Sequence, residues 1–575
     1  KYYDSKSEKW KWQRPNLFCT NEDMFTQTIV VPYLIPMLEN AGAVVFTPRE
    51  RDWQKEEVIV DNDDPVRLPY YTETTGTRKW QKSPTSGFAN TKGTYSDGDN
   101  PFMAGTCRMA QTSKKNPCEI SYQPKFDYEG RHAVYVSYQT VPESIDDALY
   151  IVYHKGQRTE FHVNQTMGGG TWVYLGTFDF DKGCNEFNRV VVSNYNKRKG
   201  YVTSDAVRFG GGMGNIQRGG YTSGLPRSAE GARYYAQWAG MPYDVYSSKK
   251  GMDDYGDDIN VRSLMTNWLG GGSCFMPTIH GLKVPFEMSL AVHSDAGFSN
   301  SNGIIGSLAI CTTQFNDGRL NSGVSRMASR NLAEQLLKGV NRDIKYKYGK
   351  WNMRELLDKN YSETRLPAVP SAILETMSHQ NFTDMMMGQS PDFRFTMARS
   401  IYKSIIRFVS GMHGKACVIE PLTPSCFTAE ITSRNKVTLR WTSTLDKQEP
   451  TAAPTSYNVY TATGTGGFDN GRNTKNTNIT IDIEPGVLYS FKVSAVNRGG
   501  ESFTTQVLSV CLQPGAKKTI LVIDGFDRVS SPYVINTATE QGFDISKDAG
   551  IGRGLTSGII GAQTCYNKQT MGKEG

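Results

Sequence analysis

Two stretches hold residues that could do chemistry. In FEMSLAVHSDAGFSNSNG, residues 286–303, Met288, Leu290 and Val292 alternate as a buried strand that ends on His293 and turns through Ser294, Asp295 and Gly297. In LPAVPSAILETMS, residues 366–378, a second buried strand ends at Glu375. Polar groups where a strand gives way to a loop are favoured places for metal binding or proton transfer. Taken alone, His293 fits a partly buried ring bonded to backbone better than a ligand. Glu22, at the start of a helix, reads alone as a first-turn carboxylate favoured by the helix dipole, with Asn21 or Thr20 as cap.

The elements around these residues alternate. NEDMFTQTIVVPYLIPMLENAGA, from Asn21, has helical apolar spacing and a C-cap at 40–42, and Pro32 and Pro36 predict a kink or a division. AVVFTPRERD reads as a strand leaving into a loop. Later come helices near 230 and over 257–269, the His293 strand, a strand in GIIGSLAICTT, a long helix in SGVSRMASRNLAEQLLKGV, the Glu375 strand and an amphipathic helix in DFRFTMARSIYKSIIRFVSG. This alternation predicts an α/β domain with a mostly parallel sheet.

Residues 57–215 interrupt it with short Tyr- and Val-rich strands separated by Gly, Asn and Asp turns, the texture of a β-sandwich. The α/β domain is thus expected in two parts, 1–56 and 222–413, with the glycine-rich 210–224 as an exit linker. A second all-β unit covers 416–514, and KKTILVIDGFDR at 517–528 starts an incomplete α/β-type unit over 517–575.

The chain has 575 residues, a net charge of +7 and no dense Lys/Arg run, which argues against nucleic-acid binding. No segment is apolar for the ~18 residues a membrane helix needs. Ten cysteines include no CxxC pair, which argues against a zinc ribbon. Cys107 with Cys118 and Cys417 with Cys426 fit short-loop disulfides and free buried thiols equally.

Three segments resemble known families. Trp441, Tyr457 and YSFKVSAVNRGGES make 416–514 similar to a fibronectin type III domain. VIVDNDD, YEGRHAVYVSY, ALYIVYHKG, VNQTMGGGTWVYLGTF and SDAVRF make 57–212 similar to the golvesin-type, or xanthan-lyase carbohydrate-binding-like, domain, which implies a binding or spacer role. Trp172, Tyr174 and Tyr201 are its candidates for stacking on sugar, although Trp172 lies in a clear strand and is expected to pack the sandwich. LENAGAVVFTPRERD, MSLAVHSDA and VPSAILETMSHQNFTDM make the α/β region similar to zinc-dependent N-acetylmuramoyl-L-alanine amidases. The combination resembles large secreted proteins of Bacteroidota.

The amidase resemblance implies a Zn²⁺ held by Glu22 and His293, with Glu375 as the catalytic proton carrier. A further histidine ligand belongs in a His-Gly turn shortly before Glu22. No histidine precedes His132, so that ligand and the first strand are expected upstream of Lys1. Asp295 is expected to hydrogen-bond a ligand histidine, and Asn381 to fix the turn after Glu375. His379, absent from the family pattern, could orient Glu375, contact substrate or replace a ligand. The implied activity is amide cleavage in peptidoglycan by a secreted, periplasmic or cell-surface protein. Two other readings stand beside it: a non-catalytic glycan-binding or adhesion protein with a degenerate site, and a polysaccharide lyase.

Overall fold

The computed structural model describes residues 1–64, 70–299, 302–433, 435–523, 530–550 and the backbone of 565–567. The chain opens with a hairpin, Tyr2–Asp4 against Lys9–Lys11. Helix follows from Glu22, but in pieces: Glu22–Phe25, Gln27–Ile29, a π turn over Val30–Leu34, and Ile35–Asn40. Pro32 has no N–H to donate and sits inside the π turn, so the predicted division falls where proline breaks the ladder. The helix stops at Gly42, whose φ of +92° suits a left-handed cap.

The strand expected in AVVFTPRERD does not form; residues 43–57 are irregular. Their side chains are committed elsewhere. Arg51 clamps Glu39 at 2.6 and 2.9 Å. Glu50 is buried against Arg208, and Asp52 accepts from the Ala133 N–H at 2.8 Å.

The α/β domain is built on four strands: β1 (Ser289–Asp295), β2 (Ser307–Cys311), β3 (Met353–Asp358) and β4 (Ser371–Ser378), in the order β1-β4-β2-β3. β1 and β4 are parallel, as are β2 and β3, but β4 and β2 run antiparallel, so the sheet is mixed rather than mostly parallel. β3, with only half-buried and exposed residues, offers too weak an apolar pattern to read beforehand. Three long helices accompany the sheet: α1 (Asp254–Gly270), α2 (Met327–Tyr348) and α3 (Pro391–Met412). Leu332, Leu336 and Val340 of α2 and Met397 and Ile401 of α3 bury one sheet face together with Phe25 and Ile29 of the first helix. Each such side chain contributes about 1.5–3 kcal/mol. The segment before the interruption and the segment after it therefore share one core.

The inserted sandwich packs a five-stranded sheet against a four-stranded one around Val134, Val152, Val192 and Phe209, with a three-stranded sheet beside them. Residues 210–214 are not a free linker. The Gly210 N–H bonds the Ala133 carbonyl at 2.8 Å and the Gly212 N–H bonds the Gln54 carbonyl at 3.0 Å. Entry and exit strands of chain run side by side, and Gly210, at φ +88°, leaves no room for a Cβ against the Glu56 carbonyl. Trp172 is buried, but just before the strand Val173–Phe180 rather than in it, and it packs among Phe88, Phe102 and Trp238 in a cluster apart from the sandwich core. Tyr174 is half-buried beneath the Arg51 guanidinium, 3.8 Å from the ring centre, so that face is closed to sugar; Tyr201 is half-buried in its strand.

Two buried acids make this domain pH-sensitive. Burial pushes the Asp205 carboxyl up to about 7, and burial with Asp205 nearby pushes Asp61 up to about 9. The unfolded chain releases both protons near pH 3.9. Both folded pKa values are raised, so their stabilising effect is full at low pH and is lost as pH rises through about 7 and then 9. The urea midpoint of the sandwich should fall between about pH 5 and pH 9, and Asp61→Asn should flatten that slope. An equal slope in the variant would count against this account.

The C-terminal sandwich packs Trp441 on Tyr457, ring centres 5.4 Å apart, over Val437, Leu439, Val459 and Phe491. It is bound to α3 by Arg399–Asp446 at 3.0 Å and Lys403–Glu449 at 3.2 Å. Beyond it no α/β unit begins among the described residues. Ile520 to Ile523 are exposed and irregular, 524–529 lie outside the described residues, and Tyr533–Asn536, Glu540–Asp544 and Cys565–Asn567 form an antiparallel sheet. Phe543 enters the α/β core between Phe18 and Phe382. The four cysteines considered for disulfides are free thiols, and the Cys107 Sγ–H instead reaches the Ser204 carbonyl.

Candidate metal centre

His293 and Glu375 are register partners on parallel neighbours β1 and β4, so their side chains leave the same face of the sheet. Neither ends its strand. Each is the fifth residue of its strand, and β4 continues through Ser378 because Thr376 Oγ1 holds the His293 carbonyl at 2.8 Å and keeps the two strands joined. Glu22 comes to this face from the first helical turn. Asn21 caps that turn, its Oδ1 accepting the Met24 N–H at 3.1 Å, and leaves the Glu22 carboxylate free to point at the sheet.

The three side chains meet. His293 Nδ1 lies 3.0 Å from Glu22 Oε1, and one donor atom each of Glu22, His293 and Glu375 falls within 4.8 Å of the others. The second Glu22 oxygen accepts from Arg14 Nε at 3.0 Å. Glu375 Oε2 is buried with no hydrogen-bond partner. Burial, with the carboxylates of Glu22, Asp295 and Glu363 nearby, pushes the Glu375 carboxyl up to about 7 against the opposing pull of His293. Burial disfavours the His293 cation, but Glu363 and Glu22 outweigh it and hold the ring pKa well above its ordinary value. Burial also works against ionised Glu22, yet its bond with His293 prevails and its pKa is lowered.

An imidazole with a carboxylate at each nitrogen holds two protons, or one proton and a cation. A histidine nitrogen and two carboxylates, one of them Glu375 with an orphaned buried oxygen, form a donor set that suits a divalent metal such as zinc. Among the described residues this group contains one histidine.

Other expected residues take different places. Asp295 does not bond a ligand histidine. A bulge follows His293, and the Asp295 carboxylate turns to Arg354 and to the Gly297 N–H, the latter at 3.1 Å. His379 is buried, its Nδ1 held by the Ser294 carbonyl at 3.0 Å and its Nε2 without a partner, so it does not orient Glu375 by a hydrogen bond. Asn381 does tie down the turn, donating to the Gly303 carbonyl and to Asp384 Oδ1, both at 2.9 Å.

The carboxylate on the far side of the ring is Glu363, whose Oε2 lies 2.9 Å from His293 Nε2. It sits in a single helical turn, Ser362–Arg365, in a polar stretch with no periodicity. Only the folded chain brings it 70 positions back to His293.

Residues 73–211 match the Golvesin C-terminal domain and residues 422–510 the fibronectin type III domain. The chain thus carries two all-β modules of known families flanking the second part of a mixed α/β domain. No curated protein matches it. Among solved structures it is similar to a Paenibacillus xanthan lyase, at 23% identity over 28% of this chain and 13% of that one, TM-score 0.21. It is similar to the CwlD amidase of Clostridioides difficile, solved in complex with the GerS lipoprotein, at 14% identity over 28% and 64%, TM-score 0.20. It is also similar to the N-acetylmuramyl-L-alanine amidase Ami1 of Mycobacterium smegmatis, at 17% identity over 27% and 61%, TM-score 0.20. The match covers less than two-thirds of each of these chains. No described helix is long and apolar enough to cross a membrane.

Proposed function

We propose that the α/β domain is a zinc-dependent amide hydrolase that cleaves the bond between N-acetylmuramic acid and L-alanine in peptidoglycan. The observation that carries this reading is the unpartnered Glu375 carboxyl beside the His293–Glu22 pair. Glu22 and His293 would hold the metal. Zinc, when bound, supplies a Lewis acid that polarises a carbonyl and acidifies water.

Glu375 does the proton work. A carboxyl with a pKa of about 7 is matched to neutral pH, where it can take a proton from the attacking water and return it to the departing amine. Its Oε2 atom is closed to solvent, which keeps bulk water from competing for a proton there. Glu363 holds the His293 ring through Nε2 while this happens. The golvesin-type and fibronectin modules would hold the enzyme on glycan or space it from a surface, which fits a secreted or surface-exposed protein.

The test uses the full-length protein and purified peptidoglycan. Zinc-loaded protein should release new L-alanine amino termini, and a chelator should stop the release until zinc is restored. Zinc binding without any new amino termini would favour a glycan-binding protein. An unsaturated uronic product absorbing in the ultraviolet would favour a lyase.

A further inference from the structure

We propose that Glu363 is a positioning residue that fixes the tautomer and orientation of His293, so that Nδ1 faces the metal. This rests on the zinc reading above.

The two His293 nitrogens are not equivalent in their surroundings. Nδ1 faces Glu22 Oε1 at 3.0 Å, in the group that Glu375 completes, and Nε2 faces Glu363 at 2.9 Å. The far oxygen of Glu363 is taken by Arg262 Nη1 at 3.0 Å. Arg14 takes the second oxygen of Glu22 in the same way, at 3.0 Å, but its side chain is 41% exposed against 15% for Arg262, so the carboxylate on the Nε2 side is the more firmly held of the two. A neutral ring that donates Nε2–H to Glu363 keeps its lone pair on Nδ1, where a metal can use it.

Glu363 is itself held. Arg262 projects from α1 and also bonds Asp258 Oδ2 at 2.7 Å, one helical turn back. The Asp258 side chain is fully buried and receives Gln13 Nε2 at 2.8 Å and the Arg233 N–H at 3.3 Å. The chain Asp258–Arg262–Glu363–His293 therefore runs from a fixed helix to the ring. Neither oxygen of Glu363 can turn away without leaving a half-buried partner unmatched. A carboxylate present only to neutralise Arg262 would not need its second oxygen on the imidazole.

The experiment measures zinc affinity of the full-length protein by competition with a chromophoric chelator, together with histidine ¹⁵N shifts that report the tautomer. Glu363→Gln keeps the shape but weakens the acceptor, and zinc binding should fall by about 10–100-fold. The paired change Glu363→Leu with Arg262→Met leaves no orphaned guanidinium, and Asp258 keeps Arg49 at 3.7 Å and Gln13 at 2.8 Å as partners. The double variant should lose zinc affinity to the same extent, and metal-free His293 should then populate both tautomers. Zinc affinity within about twofold of the parent in the Gln variant, whose fold is the safer of the two, overturns the proposal. A parent protein that binds no zinc overturns the metal reading itself, before any variant is made, so the two failures are told apart.

Discussion

Glu375→Gln should lower amide cleavage by about 10²–10⁴-fold and leave zinc content at the parent level. Glutamine keeps the volume and one acceptor but cannot carry a proton at neutral pH. The fold has little to lose. Glu375 makes no ion pair in the structure, one of its oxygens is buried without a partner, and burial already favours its uncharged form. Its raised pKa means that ionised Glu375 weakens the metal-free fold as pH climbs from about 4.5 through about 7. The variant should therefore unfold at an equal or higher urea midpoint than the parent at pH 8 and above. Loss of zinc in this variant would make Glu375 a ligand instead of a proton carrier. Retained turnover would remove it from the chemistry.

The second large effect belongs to Arg208. Its guanidinium and the Glu50 carboxylate are both fully buried, 2.7 Å apart, and the guanidinium lies 3.8 Å from the Tyr135 ring centre and donates to the Gly210 carbonyl at 3.0 Å. Arg208→Met removes one charge and strands the other, a change that costs about 3–5 kcal/mol. The loss should appear as a drop in urea midpoint of the inserted sandwich. Adding Glu50→Gln to Arg208→Met should recover most of it, because the stranded charge is then gone. A single variant as stable as the parent would mean that water reaches Glu50.

Much of this was legible in the sequence, because burial and period leave marks that local composition carries. Met288, Leu290 and Val292 announced the strand that holds His293. The prolines at 32 and 36 announced a broken helix. The golvesin-type and fibronectin modules were legible from their strand motifs. What failed were features set by partners distant in the chain. AVVF has strand-forming residues, yet its neighbours Glu50, Arg51 and Asp52 bind side chains and backbone up to 158 positions away. The antiparallel β4–β2 pairing depends on how the chain returns, which periodicity does not encode. Asp295, two residues from His293, looked like its natural partner, but a bulge turned it toward Arg354 and left that place to Glu363.

The side-by-side entry and exit of the inserted sandwich also sets an order of events during synthesis. Phe25 and Ile29 belong to a core completed by residues of α2 and α3, and the intervening sandwich must be made first. At the usual pace of translation that takes on the order of ten to thirty seconds. Throughout that interval the first helix has no core to join. The sandwich, whose strands are all local to 58–209, can fold meanwhile and bring its two ends together at Gln54 and Gly212. The ribosome thus hands the α/β domain's second part a first part already tethered at the right spot, and a loop of some 160 residues closes at the entropic price of a short one.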